Sequence, residues 1–466
     1  MTDPTVETTP VPGLLIINLP LHGDNRGWFK ENWQREKMIK LGLPDFAPVQ
    51  NNISFNASRG VTRGLHAEPW DKYVALATGR IFGAWVDLRA GDSFGTVYTH
   101  ELGPETAIFV PRGVANGYQT LQPDTAYSYL VNEHWSAEAR SQYTFLNLAD
   151  ETVGIDWPIP LAECELSEAD KAHPPLADVQ PMAPKRTVII GGNGQLGRAL
   201  AAIMPDAEVT DRSTLDLSDP DSLAKFDWRS YDVVINAAAY TAVDTAETHD
   251  GRIAAWEVNV TGVGALAEIA REHRLTLVHV SSDYVFDGLL PTHDETEPPS
   301  PLGVYGQTKA AGDQLVAGVP RHYILRTSWV IGDGGNFVAT MVRLADAGVE
   351  PTVVDDQLGR LTSAAELARA IAHLIDTGAE YGVYNVTSDG EPRSWADLAT
   401  MIFTARGRPA DAVTPVSTEA YAAGKQLAPR PRHSTLDLTK IKSTGFVPVD
   451  GDRALAELLT AIDHQG

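Results

Sequence analysis

Cysteine is all but missing: Cys164 is the one thiol in 466 residues. No disulfide can close within the chain, which fits a reducing cytoplasm. A lone cysteine with no base announced beside it is read as a packing or surface residue. Basic residues are scarce too. Lys and Arg number 37 against 61 Asp and Glu, a formal charge of −24. The deficit runs through the chain: residues 1–185 hold 14 basic and 23 acidic residues, net −9, and residues 186–466 hold 23 and 38, net −15. Both halves repel a phosphate backbone at long range, so no nucleic-acid partner is expected. Any phosphate they take must be held by local donors. Long apolar runs are absent: no stretch approaches about 18 apolar residues, so no membrane span is expected. The opening MTDPTVETTPVPG lacks the basic start and apolar centre of a secretory signal.

What is present reads as two domains of different kinds. The length exceeds one ordinary core, and 43% hydrophobic residues with 39 glycines describe a globular chain. Over residues 11–160, LLIIN, VALATG, RIFGAWVDLR, VYTHEL, AIFVP and YSYLV are short β-branched or aromatic runs. HGDNRG, RAGDSFG and LGPET punctuate them as turns. An all-β sandwich or barrel is expected, with jelly-roll topology open to it. Residues 160–186 are rich in Pro, Ala and charge. They predict a tail of the first domain (1–176) and then a linker (177–186), which as a flexible coil would span roughly 15–20 Å. From residue 187 the period changes. TVIIGGNGQLGRALAAIM is strand, glycine turn and helix, and DVVINAAAY, LTLVHVSSDYVF and RHYILRTSWVIG are apolar strands with helical segments between. That alternation predicts an α/β doubly wound parallel sheet over 187–466, of the Rossmann type, with a small C-terminal substrate subdomain.

The second half carries the sharper motifs. Gly191, Gly194 and Gly197 fall at three-residue steps between a strand and a helix. This spacing suits a tight turn against a pyrophosphate at a helix N-terminus. The following strand ends in Asp211 and Arg212. An acid takes a ribose 2′-hydroxyl and an arginine a 2′-phosphate, so the sequence leaves NADH and NADPH both open. Tyr305 and Lys309 stand four apart on one helical face. The ammonium is expected to lower the phenol's pKa, readying it to pass a proton to a carbonyl that receives hydride. Ser282, in the strand-end run Ser281-Ser282-Asp283-Tyr284, is expected to polarise the same carbonyl.

GGNGQLG, NAAAYTAVDTAE, SSDYVFDG, SPLGVYGQTKAAGD, LRTSWVIG and DDQLGRLTSAAELA together resemble the dTDP-4-dehydrorhamnose reductase family, which are extended short-chain dehydrogenases. The resemblance implies a catalytic triad of Ser282, Tyr305 and Lys309. It implies that Gly191, Asn193, Gly194, Gln195 and Leu196 hold the pyrophosphate, and that Ala237, Ala238 and Tyr240 line the cofactor cleft. Asp283 and Tyr284 would sit beside the sugar, Arg326 and Trp329 on the next strand, and Arg430, Pro431 and Arg432 where the family closes over the nucleotide sugar. Some members carry a glutamate after the last glycine of the turn, which takes part in a magnesium-bridged dimer. Arg198 and Ala199 follow Gly197 here, so magnesium stays possible but the resemblance gives that site no support.

About 120 residues upstream lies RGLHAEPWDKY. Read alone, it offers a base, His66, between the cations Arg63 and Lys72, or else a strand histidine with a solvated rim. GDNRGWFKE, VQNNISFNASRGVTRGLH, GRIFGAWVDLR, FVPRGVANGYQTL, GIDWP and LSEADKAHPPL, in that order, resemble the dTDP-4-dehydrorhamnose 3,5-epimerase family, whose fold is a cupin-type jelly roll. The resemblance covers residues 11–176. It implies His66 as base oriented by Asp170, Tyr129 as the opposite-face acid (Tyr127 in reserve), and Lys72 at the enolate oxygen. Arg63 and Gln50 would bind the diphosphate. Asp24, Arg26, Phe29 and Glu31 would line the site partly from a neighbouring subunit, hence a homodimer through the first domain. Asn116 stands where the family has histidine, Ala67-Glu68-Pro69 replaces its glutamine, and Leu130 replaces a lysine.

The two resemblances imply one enzyme for consecutive steps: epimerisation of dTDP-4-keto-6-deoxy-D-glucose at C3 and C5, then reduction at C4 to the L-rhamnose nucleotide. The departures leave two alternatives open. One is a reductase with a silent sugar-nucleotide-binding or dimerising first domain, the other a single-site epimerase that makes another deoxysugar.

Overall fold

The computed structural model describes residues 3–465 and divides into two compact units between Pro184 and Lys185. The first is a two-sheet sandwich. One sheet runs in the order Thr5–Thr8, Leu15–Asn18, Thr106–Val110, Lys72–Thr78, Thr125–Val131, Gln50–Asn56, and the other Thr144–Phe145, Thr62–Ala67, Val114–Thr120, Ile81–Asp87, Val97–Leu102. Every pairing is antiparallel. Period-two alternation explains the layers. In strand Lys72–Thr78, Val74 and Leu76 face inward, where they meet Ile81, Trp85 and Tyr118 of the other sheet. Tyr73 and Ala75 face outward into a cluster with Met38, Leu43 and Phe46, beside helix Arg35–Lys40.

The outer face of the second sheet is covered by the chain that follows it. Ala84 and Val86 pack with Leu146, Leu148, Val153, Val179 and Met182. Met182 also exchanges backbone hydrogen bonds with Leu88 and Ala90. The span expected as a flexible coil, 177–186, therefore places two apolar side chains in the first unit's core, and strand Arg186–Ile190 begins at its end. Strands Gln50–Asn56, Thr62–Ala67 and Val114–Thr120 were absent from the sequence's strand list. Their Asn, Gly and Gln content hides them, although Val114–Thr120 is buried along its whole length.

The second unit is built on a six-stranded parallel sheet. Its order is Glu208–Thr210, Arg186–Ile190, Tyr231–Asn236, Thr276–Ser282, His322–Thr327, Gly382–Asn385. Alternate residues of each strand feed opposite cores: Val188, Ile190, Val234, Leu277 and Ile324 one, Ile189, Ile235, Val278, Tyr323 and Leu325 the other. Burial on both faces is why these strands read as unbroken apolar runs. The chain leaves strand Arg186–Ile190 for one neighbour and then returns to the other. That reversal opens a crevice at the strands' carboxyl ends, where ligands bind in such sheets. A third cluster joins helices Phe337–Asp346 and Trp395–Ala405 into a smaller subdomain. No helix among the described residues is long and apolar enough to cross a membrane.

Candidate active sites

In the first unit, His66 lies on strand Thr62–Ala67 of one sheet and Tyr129 on strand Thr125–Val131 of the other. His66 Nε2 is 2.9 Å from Asp170 Oδ1. Asp170 reaches it from the one-turn helix Glu168–Lys171, capped by Ser167. Burial pushes the Asp170 carboxyl up, but the hydrogen bonds from His66 and Ser167 and the fields of two imidazoles outweigh it and hold the group below its ordinary value. His66, Asp170, Arg63 and Arg140 line a cavity of ≈ 450 Å³. Tyr129, Gln50, Glu68 and Trp70 line another of ≈ 300 Å³.

Lys72 begins strand Lys72–Thr78, with its ammonium 5.4 Å from the centre of the Tyr129 ring. It forms a buried ion pair with Glu68. Glu68 also accepts from Asn116 Nδ2 (3.2 Å), which donates to the His66 carbonyl as well (2.9 Å), while Tyr127 donates to Asn116 Oδ1 (3.2 Å). The asparagine that departs from the epimerase pattern thus ties base strand, acid strand and cation together. Tyr127 is fully engaged in this network, and Tyr129 borders the open cavity. Burial, reinforced by Glu68, raises the pKa of Tyr129 and keeps its phenol protonated. Arg63 donates to Asn56 Oδ1 (3.2 Å), and Gln50 Oε1 accepts from the Trp135 backbone (3.1 Å).

Arg26, Phe29 and Glu31 line neither of these two cavities. Arg26 pairs with Asp24, Glu31 with Lys37, and Phe29 is 68% exposed on the hairpin His22–Asp24/Gly27–Phe29. Glu68 was marked in the sequence only as a departure from the family pattern, and Arg140 and His173 were not marked at all. His173 follows Asp170 by three residues, a spacing that would have flagged it.

In the second unit, the turn Gly191–Gly194 leads into helix Gln195–Ile203. Gly191 has φ +88°, and a Cβ on Gly197 would lie 2.3 Å from the Gly191 carbonyl oxygen, so strand and helix meet here without side chains between. Gly194 at the N-cap offers no side-chain acceptor, which leaves the first helical N–H groups without one. Asn193 donates to Asp211 Oδ2 (2.9 Å), Gln195 to the Gly335 carbonyl (3.4 Å), and Leu196 is buried in the core. Hydrogen bonds from Ser213 and Asn193 lower the pKa of Asp211, and Arg212 reaches Asp216 from a largely exposed position. Ala237 and Ala238 continue strand Tyr231–Asn236, and the Tyr240 backbone is fixed by Asn259.

Tyr305 and Lys309 lie on helix Val304–Ala317, whose first N–H is held by Glu247 (2.8 Å). Ser282 ends strand Thr276–Ser282, hydrogen-bonds Tyr305, and donates to Asp283 Oδ1 (2.9 Å). The expected activation of the phenol by lysine is not what the structure holds. The Lys309 ammonium donates to the Val280 carbonyl (2.7 Å) and lies 3.4 Å from His279 Nε2. Burial, then the Asp283 charge, push Tyr305 up to about 12 against the Ser282 hydrogen bond. The phenol is therefore protonated at neutral pH, the form that an acid for ketone reduction requires. Burial lowers Lys309 to about 8 and raises Asp283 to about 6.

Both Asp244 oxygens hold Arg430 at 2.9 Å, and Arg430 donates to the Ala428 carbonyl (3.0 Å). Arg326 lies on strand His322–Thr327 as expected, buried against Asp313 with its guanidinium 5.1 Å from the Phe286 ring. Trp329, at φ +47°, stacks on Trp395 at 3.8 Å. Tyr284, Tyr305, Gly303, Pro429 and Pro431 enclose a narrow cleft over the acid.

Each unit thus contains its own cluster of titratable side chains on its own fold. A family model described as dTDP-4-dehydrorhamnose 3,5-epimerase matches residues 8–178, and one described as RmlD substrate binding domain matches residues 185–463. The first part is 52% identical over 184 residues to a protein named RmlC homolog from Streptococcus pyogenes serotype M6, covering 38% of this chain and 92% of that one. The second is 42% identical over 291 residues to dTDP-4-dehydrorhamnose reductase of Aggregatibacter actinomycetemcomitans, covering 59% and 98%. It also overlays the Bacillus anthracis dTDP-4-dehydrorhamnose reductase solved in complex with NADP, at 34% identity, TM-score 0.54, and 59% and 99% coverage. The chain belongs to both families, the dTDP-4-dehydrorhamnose 3,5-epimerases through its first unit and the RmlD reductases through its second.

Proposed function

We propose that this chain carries out two consecutive steps of dTDP-L-rhamnose formation, with epimerisation in a cupin-type jelly roll and NADPH-dependent reduction on a Rossmann-type sheet. The observation that carries the reading is that His66 is hydrogen-bonded to Asp170 in the first unit, while in the second Ser282 ends a sheet strand packed against the helix that carries Tyr305 and Lys309.

In the first unit the C4 ketone acidifies the hydrogens on C3 and C5. With Nε2 bonded to Asp170, His66 presents Nδ1 as the basic lone pair that removes each proton. Lys72 steadies the enolate oxygen, and Glu68 holds the ammonium in place. Tyr129, entering from the opposite sheet, returns a proton to the other face as a neutral phenol. Arg63 and Gln50 take the diphosphate.

In the second unit the glycine turn, Asn193, Gln195 and Leu196 fit a dinucleotide, and Asp211, Arg212, Ala237, Ala238, Tyr240 and Lys309 flank the rest of it. The bound nicotinamide supplies hydride. Ser282 polarises the C4 carbonyl, and Tyr305 delivers a proton to its oxygen. Asp283, Tyr284 and Trp329 border the sugar. The cleft under Pro429 and Pro431 keeps water from the acid, and a diphosphate competes with Asp244 for Arg430.

The first unit also exposes Trp28 and Phe29 on its hairpin and Ile53 and Phe55 on the edge strand Gln50–Asn56. A homodimer through the first unit would cover such residues and bring Arg26, Phe29 and Glu31 to a partner's site. Light scattering on Phe55→Lys, expected to be monomeric, tests that arrangement. A cytoplasmic location fits the single free thiol.

The functional test is incubation with dTDP-4-keto-6-deoxy-D-glucose in D2O without nicotinamide, with proton NMR following C3 and C5. Loss of both signals in wild type but not in His66→Ala makes the first unit a double epimerase. Loss of one makes it a single-site epimerase, and loss of neither a scaffold. NADPH is then added, and its oxidation reports the second unit.

A further inference from the structure

His66, Asp170 and His173 are the one group of three or more His, Cys, Asp or Glu among the described residues whose donor atoms all fall within 4.8 Å of one another. The arrangement is built rather than casual. Asp170 Oδ1 lies 2.9 Å from His66 Nε2 and 3.9 Å from His173 Nε2. The His173 ring is stacked on Phe145 at 4.7 Å and set edge-on to His66 at 5.2 Å, which fixes its orientation. Asp170 and His173 side chains are both below 10% exposed, while His66 opens to the ≈ 450 Å³ cavity. His173 has no part in the epimerisation chemistry described above.

We propose that these three side chains form a binding site for a divalent transition cation, zinc above all, which switches off the epimerase unit reversibly. Two imidazoles and one carboxylate are the donor set of zinc sites that keep a fourth position open, and the cavity supplies room for the water that would fill it. Zinc takes neutral imidazole and ionised carboxylate. The charged groups that also line the cavity are Arg63, Arg140 and Glu165. The two guanidiniums oppose a cation, so the site is expected to be reversible rather than structural.

The inhibition follows from the tautomer. Zinc takes the place of the proton between His66 Nε2 and Asp170 Oδ1, with His173 Nε2 as third ligand. With its Nε2 lone pair on the metal, neutral His66 must carry its proton on Nδ1, and the lone pair that abstracts from C3 and C5 is gone. The inhibitory consequence rests on the reading of His66 as base, whereas the binding does not.

Binding is measured on the full chain with Co2+ alone, whose visible bands report four-coordinate geometry, followed by displacement with Zn2+. One Co2+ per chain with intense visible bands is expected in wild type, and none in His173→Asn or in His173→Phe, which keeps the stack on Phe145. Absence of stoichiometric binding in wild type, or bands that survive both substitutions, would overturn the site. The exchange assay in D2O then reads the consequence. At zinc ten times its measured Kd, about tenfold slower exchange is expected by mass action. EDTA should restore the rate, and His173→Phe should exchange at a rate that zinc leaves unchanged. Exchange in wild type that is indifferent to bound zinc would refute the switch while leaving the site. A wild type with no exchange at all would count against the epimerase reading, with the Co2+ result standing on its own.

Discussion

The buried pair of Glu68 and Lys72 yields the most demanding prediction. Both side chains are at most 10% exposed. Lys72→Met keeps the length of the side chain and removes its charge. Glu68 would then be a buried carboxylate with Asn116 Nδ2 as its remaining hydrogen-bond donor. Breaking one side of such a pair costs about 3–5 kcal/mol. The orphaned carboxylate has one escape, to take up a proton. Against an ordinary glutamate of the unfolded chain, with a pKa near 4.3, that uptake costs about 3.7 kcal/mol at pH 7 and about 1 kcal/mol at pH 5. The variant's folded state binds more protons than its unfolded state above pH 4.3, so its stability must fall as pH rises from 5 to 7. Lys72→Met should therefore lose about 3.7 kcal/mol at pH 7 and about 1 at pH 5 relative to wild type. The double variant Glu68→Gln/Lys72→Met should come within about 1 kcal/mol of wild type at both. Urea unfolding of the full chain gives the numbers, and hydrogen exchange of peptides from strand Lys72–Thr78 assigns the transition to the first unit. A single variant that costs less than 1 kcal/mol at pH 7, or whose cost is independent of pH, would refute the reasoning. Deuterium exchange at C3 and C5 should fall about 10²–10³-fold in both variants, because the enolate loses its cation in each.

Tyr305→Phe should lower NADPH oxidation by about 10²–10⁴-fold, leave NADPH binding intact by calorimetry, and leave exchange at C3 and C5 unchanged. Burial holds Lys309 down at about 8, so the folded state sheds its proton before the unfolded state does. The reductase unit should gain stability as pH rises from about 8 toward 10.5, while kcat/KM for reduction falls above about pH 8 as the ammonium is lost. Lys309→Arg, which keeps its charge, should move that fall upward, and an unmoved limb would exclude Lys309 as its origin. Gly197→Ala places a Cβ 2.3 Å from the Gly191 oxygen. It should cost about 1–3 kcal/mol and weaken NADPH binding in titration, with no effect on C3 and C5 exchange.

The second unit was legible because its chemistry sits in contiguous motifs at the ends of apolar strands. A glycine turn, a strand-end serine and a Tyr-x-x-x-Lys helix each declare a local geometry. Motifs do not say where a charged side chain ends up. Lys309 turns to Val280 and His279 rather than to the phenol, and Arg430 is paired with Asp244, 186 residues away in sequence. In the first unit the base and its aspartate could be named from the resemblance. The support around them could not, because it crosses between sheets. Asn116 looked like a loss, yet it donates to Glu68 and accepts from Tyr127. Glu68 looked like a substitution, yet it anchors the lysine four residues on, across a bend where the helical i,i+4 rule gives no guide. Strand Gln50–Asn56 was hidden because its exposed apolar residues, Ile53 and Phe55, alternate with polar ones on an edge.

The burial of Val179 and Met182 in the core of the first unit decides how the protein can be taken apart. A first half ended at Leu176, where the epimerase resemblance stops, would be missing two plugs from the face of its second sheet and the backbone bonds that Met182 makes with Leu88 and Ala90. Expressed alone it should be poorly soluble for reasons unrelated to its chemistry. The scission that respects both cores falls after Pro184, and Ala183, Pro184 and Lys185 are all that separates the last residue of the first core from the first residue of the next strand. A protease seeking a cut between the cores has those three residues to work with, and two of them are themselves held, Ala183 by Arg112 and Lys185 by Asp232.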